Sequence, residues 1–182
     1  MIAVPKSKEG PGAGKLTQKG GTDMAEAGRI INDSEVLQWV TFQLEAETYG
    51  VNVMAVKEVL RYQDIAPVPG APSHVMGIIN IRGMVITVIS TRRRFGLPDV
   101  EPDDNARIMI VEIGDYVVGI VVDSVAEVVY LKSSEIDVAP NVGHDDSARF
   151  IQGVCNRENQ LLILLDLERM ISQEEFAEID QR

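Results

Sequence analysis

Two internal repeats that interlock along the chain limit its fold more than any other feature. Gly77-Ile78-Ile79-Asn80 opens a stretch running through Val85-Ile86-Thr87-Val88-Ile89-Ser90. Gly153-Val154-Cys155-Asn156 opens another, running through Leu161-Leu162-Ile163-Leu164-Leu165-Asp166. In both, Asn follows the Gly by three residues and an apolar run ends thirteen residues after it. A second pair sets Tyr49-Gly50-Val51, with Val56, Glu58 and Val59, against Val118-Gly119-Ile120, with Val125, Glu127 and Val128, at identical offsets. The units read A, B, A′, B′. That order describes two similar subdomains built on one plan, not a single catalytic core.

The repeats are dense in short strands. Trp39–Leu44 and Tyr49–Val51 form a hairpin across Glu45–Thr48, and Met76–Ile81 and Met84–Ile89 form a second across Arg82-Gly83. Ile108–Ile113 and Tyr116–Val122 flank Gly114-Asp115, which suits a tight turn. Val125–Leu131, Ile151–Cys155 and Leu161–Leu165 complete the set. Val53–Leu60 fits either a short helix or a helical turn passing into a strand. Pro67, Pro69 and Pro72 break a connection, because proline continues neither a ladder nor a helix interior. Arg92–Phe95 suits a helical turn closed by Gly96, and Asp166 can cap a turn through Leu167-Glu168-Arg169. Ser172 and Glu175 form a capping box that opens a terminal helix. About ten strands in two sets predict an all-β fold of two small five-stranded barrels around a shared core, and the interleaved order suggests that each borrows a strand from the other half.

Residues 1–35 stand apart as a polar, glycine-rich extension, expected to be disordered, with Met24 a candidate alternative start. Gly10-Pro11-Gly12-Ala13-Gly14-Lys15-Leu16 fails as a phosphate loop: its spacing is one residue short and Leu16 replaces the hydroxyl residue. Residues 36–182 are the folded unit and carry all of the net charge of −11. So acidic a surface repels nucleic acid and anionic lipid. No apolar run is long enough to span a bilayer, no signal peptide is visible, and the single Cys155 suits a reducing compartment, so a cytoplasmic location is expected.

The chemistry-bearing residues are sparse. His74 and His144 fall in loops without a neighbouring Cys, and both read as solvated. Asp103-Asp104 and Asp145-Asp146 lack the ligand spacing of a calcium loop. No nucleophile elbow, redox Cys pair or dinucleotide fingerprint occurs. No catalytic residue, cofactor or metal site is assigned, and a binding module is expected. Arg92, Arg93 and Arg94 form the one basic cluster, suited either to an acidic partner or to a solvated turn.

Tyr49-Gly50-Val51-Asn52-Val53 with Val56-Lys57-Glu58-Val59, then Pro67-Val68-Pro69 and Gly77-Ile78-Ile79-Asn80-Ile81-Arg82-Gly83, resemble the CheW family of bacterial chemotaxis coupling proteins. Val118-Gly119-Ile120-Val121-Val122-Asp123 is similar to that family's second half, and the likeness runs from about Val36 to Ile179. The resemblance implies two SH3-like barrels around a shared core. It also implies a scaffold that links the cytoplasmic tips of transmembrane chemoreceptors to the histidine kinase CheA, in arrays at the cell pole. The regulatory domain of CheA is the expected kinase contact. Arg82 is the first receptor-side candidate: Gly83 can take positive φ, so the guanidinium is presented at a turn. Glu58 is its expected partner, either for function or simply to tie one barrel together. Val56, Val59 and Val128 are candidates for the groove lining. Val125 and Tyr130, with Pro140 and Val142 in the following loop, are the kinase-side candidates. The family commonly has Asp-Leu-Arg where this chain has Ser90-Thr91-Arg92, so Ser90 lacks the carboxylate that Asp166 keeps.

Two other readings remain open. One is a CheW-like adaptor of a separate, non-motility array. The other is a small-ligand β-barrel, which the large branched residues at inward positions oppose.

Overall fold

Alternating segments and short buried apolar runs yield ten strands among the described residues. The computed structural model describes residues 35–139, 146–172 and 175–177. The strands are β1 (Val36–Leu44), β2 (Glu47–Asn52), β3 (Val56–Arg61), β4 (Val75–Ile81), β5 (Met84–Ser90), β6 (Arg107–Ile113), β7 (Tyr116–Val122), β8 (Ser124–Lys132), β9 (Ile151–Arg157) and β10 (Gln160–Leu165). Two one-turn helices, α1 (Thr91–Arg94) and α2 (Leu167–Met170), follow β5 and β10. The second of the alternatives for Val53–Leu60 is the one adopted. A 3-10 turn at Val53–Ala55, capped by the Asn52 side chain, passes into β3. The reason is that Lys57, Val59 and Arg61 alternate with the half-buried Val56, Glu58 and Leu60, a period of two.

The strands form two five-stranded sheets, ordered β8-β1-β2-β10-β9 and β3-β6-β7-β5-β4. Advancing each strand of the first sheet by five places in chain order, one full repeat, converts it into the second. The halves therefore exchange more than the single strand anticipated: each sheet takes a hairpin from one half and three strands from the other. The exchange is sealed by two parallel pairs, β2 with β10 and β5 with β7. In these pairs Gly50 faces Leu164 and Gly119 faces Val88, which are equivalent positions. A Cβ on Gly119 would lie 2.9 Å from Ile108 Cγ2 and 3.3 Å from Val88 Cγ2, which accounts for glycine in that repeat.

Both ladders are open, with β8 and β9 as edges of one sheet and β3 and β4 of the other. One isolated antiparallel bridge crosses each opening, Asp137 to Val154 and Ala66 to Ile78. The second repeated glycine serves this crossing, because a Cβ on Gly77 would lie 2.0 Å from the Ala66 carbonyl oxygen. Three apolar clusters result. Trp39, Cys155, Leu162 and Leu164 fill the first sheet's interior, and Ile108, Ile79, Ile86 and Val88 hold the equivalent places in the second. Between them lies the shared core, where Phe42, Leu44, Tyr49 and Val51 meet Met109, Val111, Ile113, Val118 and Ile120. Burial of this kind stabilises by roughly 25 cal/mol per Å² of apolar surface. Side chains fill both sheet interiors, contrary to the small-ligand reading.

The caps hold at both turns. Asp166 Oδ1 accepts from the N–H groups of Glu168 and Arg169. Ser90 Oγ accepts from Arg93 N at 3.2 Å, so the shorter hydroxyl keeps the cap that its missing carboxylate put in question. Ser172 and Glu175 form the expected capping box, and residues 175–177 are helical. Two other expectations are corrected. His74 is buried and not solvated: its carbonyl accepts from Ser90 N, and the neighbouring Ser73 carbonyl accepts from Arg93 Nη1. The Arg92–Arg94 cluster is not a basic patch, since each guanidinium has internal partners in Asp123, Asp99 and Glu175 respectively. The anticipated extension and His144 and Asp145 lie outside the described residues, except for Glu35, whose carbonyl accepts from Ser133 N.

Candidate functional site

The turn between β4 and β5 is only two residues long, and this sets the geometry of the site. Arg82 has φ 48° and Gly83 φ 84°, so both lie in the left-handed region that a tight twisted hairpin demands. Asn80 Oδ1 accepts from Gly83 N at 3.0 Å, which explains the Asn of the first repeat. The Arg82 side chain projects from the turn with 71% of its surface exposed. Its Nη2 donates to Glu58 Oε1 on β3, the one partner of this guanidinium among the described residues. Because β3 and β4 are the two edges of one sheet, this ion pair spans the opening that the Ala66–Ile78 bridge also crosses. The pair ties the barrel together and leaves most of the cation in solvent. An exposed pair of this kind contributes at most about 1 kcal/mol.

Two residues missed in the sequence adjoin Arg82. Met84 and Val85 are 55% and 65% exposed at the start of β5. The signal was available: two successive apolar residues on a strand cannot face the same interior. Val85 leads into an apolar groove of about 480 Å³ that Val68, Ile78, Thr87, Val117 and Phe176 also line. The groove thus combines strands β4, β5 and β7 with the proline-rich connection and the terminal helix.

The remaining candidates divide. Val59 is partly exposed on β3 but points to the face opposite Glu58. Val56 and Val125, which are equivalent positions, are half-buried and pack on the shared core. Val128 lies on β8 in the other sheet, across from Val40. It shares its outward face with Tyr130, which is 63% exposed, so the structure groups Val128 with Tyr130 and not with Arg82. Pro140 and Val142 lie outside the described residues.

The electrostatics around the site are structural. Arg92 bonds hold the Asp123 carboxyl below its ordinary value, against the upward push of burial. Burial pushes His74 down and the nearby Arg94 adds to this, opposed by Glu175. Burial raises the Cys155 thiol, aided by Glu135 and Asp137. Among the described residues no group of three or more His, Cys, Asp or Glu side chains is placed to hold a metal, and no helix is long and apolar enough to cross a membrane.

Comparison with known proteins agrees with this architecture. The family model described as CheW-like domain matches residues 38–175. A chemotaxis protein CheW of Treponema pallidum is 35% identical over 153 residues, covering 82% of this chain and 89% of that protein. The corresponding protein of Bacillus subtilis is 33% identical over 135 residues, covering 74% and 86%. The crystal structure of the scaffolding protein TtCheW from Thermoanaerobacter tengcongensis superposes with a TM-score of 0.71 at 31% identity, covering 78% of this chain and 96% of that one.

Proposed function

The chain belongs to the CheW-like family of chemotaxis scaffold proteins, and from that premise we propose that it links chemoreceptors to the kinase CheA. The observation that carries the receptor side is the exposed Arg82 beside exposed Met84 and Val85 at the mouth of an apolar groove. A receptor's helical hairpin tip that presents an apolar stripe flanked by a carboxylate would match both parts of this surface. Glu58 steadies Arg82, and its loss would free the guanidinium without removing it. The kinase side falls on the outward face of β8, where Val128 joins Tyr130, and Pro140 and Val142 remain candidates of the same side. Val125 and Val56 support these surfaces from beneath, and Val59 flanks the receptor side on the opposite face of β3. The coupling unit is the CheW-like domain matched over residues 38–175, acting in the cytoplasm at polar receptor arrays.

No bond is made or broken. The protein holds two partners in one geometry, so that a change in receptor state reaches the kinase. Co-sedimentation of the chain with receptor-containing membranes, with and without CheA, tests the reading. Wild type should sediment with receptors and recruit kinase, while Arg82→Glu should stay folded and lose the receptors. Failure of wild type to engage either partner would overturn the proposal and favour an adaptor for a different array.

A further inference from the structure

The receptor-side surface leaves the arginine cluster unused, and within that cluster Arg94 departs from the repeat. Its counterpart in the second half is Met170, a fully buried core side chain. A cation therefore stands in the first half where the second half has a hydrophobe. Arg94 Nε donates to the Met170 carbonyl at 2.6 Å, joining the two equivalent positions directly. Its Nη1 and Nη2 meet the two carboxylate oxygens of Glu175 at 3.0 Å and 3.1 Å. Glu175 Oε2 also accepts from Ser172 N, and Ser172 Oγ accepts from Glu175 N. The Arg94 guanidinium lies 5.1 Å over the Phe150 ring. A forked, charge-assisted pair that is mostly covered fixes direction as well as distance. The Glu175 and Ser172 contacts fix the first turn of the terminal helix, and the Met170 and Phe150 contacts hold the guanidinium that grips it.

The next residue is Phe176. It is buried, its ring stacks on Tyr116 with centroids 4.5 Å apart and planes 7° apart, and it forms one wall of the apolar groove. We propose that Arg94 is a positioning residue for the groove: by gripping Glu175 and the Met170 carbonyl, it holds Phe176 as the wall against which a partner's amphipathic helix packs. This rests on the reading of the groove as the receptor-side surface. With the grip made, Phe176 covers Tyr116 and the groove keeps its shape. With the grip broken, the helix start is released, Tyr116 loses its stacked partner, and the wall is no longer preorganised for the incoming helix.

The test uses the full chain in three forms, Arg94→Met, Glu175→Gln and Phe176→Ala. Arg94→Met copies the residue of the other half, and Glu175→Gln keeps the test open if Arg94→Met does not fold. Amide hydrogen exchange at residues 175–177 reports the grip, and binding of a chemoreceptor cytoplasmic-tip fragment reports the groove. Arg94→Met and Glu175→Gln should each speed exchange and weaken tip binding about tenfold, while affinity for the CheA regulatory domain is unchanged. The double variant should be no weaker than either single one, and Phe176→Ala should mask the effect of Arg94→Met. Unchanged exchange in both grip variants overturns the proposal, and so does faster exchange with wild-type tip affinity. A wild-type chain that ignores the tip fragment overturns the coupling reading and this proposal with it. That case is distinguishable, because the exchange data would still show the grip.

Discussion

Arg92 holds Asp123 with both arms of its guanidinium, Nε to Oδ1 at 2.8 Å and Nη2 to Oδ2 at 2.6 Å. The same guanidinium donates to the Pro98 carbonyl at 2.8 Å, and Asp123 Oδ2 accepts from Glu45 N at 2.9 Å. The pair thus joins α1, the passage from β7 to β8, and the turn between β1 and β2, at a point where chain from both halves meets. Its repeat counterparts are Glu168 and Met54, so only one half has this tie. Arg92→Ala should lower unfolding stability by about 2 kcal/mol in urea titration. Arg92→Lys should recover less than half of that, because an ammonium cannot fork. Loss of less than about 0.5 kcal/mol on Arg92→Ala would show the tie to be energetically idle.

Asp123 carries a pH signature. Its folded carboxyl titrates below its ordinary 3.8, so the folded state binds its proton less readily than the unfolded state does. The stability it contributes is complete above 3.8 and is lost as pH falls through the lower folded value. Asp123→Asn should flatten that acid limb in urea midpoints measured against pH, and an unchanged limb would assign it to other carboxylates.

His74 acts in a higher window. Burial and Arg94 hold its folded value below the ordinary 6.5, against the pull of Glu175. Its contribution is complete above 6.5 and declines as pH falls, because the unfolded chain takes up the proton first. Thermal midpoints of wild type should fall between neutrality and pH 5, and His74→Gln should reduce that slope. Equal slopes in the two proteins would exclude His74 as the source.

The two glycines of the β4–β5 hairpin, Gly77 and Gly83, should differ sharply in tolerance. Gly77→Ala places a Cβ 2.0 Å from a backbone carbonyl at φ 149°, whereas a Cβ on Gly83, at φ 84°, meets nothing within 4 Å. Gly77→Ala should cost more than about 3 kcal/mol or prevent folding, and Gly83→Ala about 1 kcal/mol from backbone strain alone. Comparable losses in soluble yield and melting temperature would contradict the crossing geometry.

The division of surfaces predicts separable defects. Tyr130→Glu, on the outward face of β8, should weaken binding of the CheA regulatory domain about tenfold and spare receptor binding. Val85→Glu, at the groove mouth, should do the reverse. Isothermal titration with each partner reads both, and a variant that weakens both partners equally would merge the two surfaces.

Much of the fold was legible because its signals are local. The apolar runs of β6 and β7, a Gly-Asp turn, the Asp166 cap and the Ser172–Glu175 box each involve neighbours within a few residues. The Arg82–Glu58 pair was expected from the resemblance of both motifs to the CheW family, and the structure forms it. Met84 and Val85 were missed although adjacent apolar residues on a strand must face opposite sides, because the run Met84–Ile89 reads as wholly inward.

By itself the sequence determined ten strands, their turns and a duplicated plan, since period-two patterning and turn chemistry act over short spans. Tertiary structure alone decided that the halves exchange hairpins, because strand pairing is a choice among distant edges of similar pattern. It also decided that Arg92 and Arg94 are covered and paired with distant carboxylates, while Arg93 pairs with Asp99 at the surface. Two of their acidic partners lie 31 and 81 residues away, and no local signal says whether a cation meets solvent or a carboxylate brought to it by the fold.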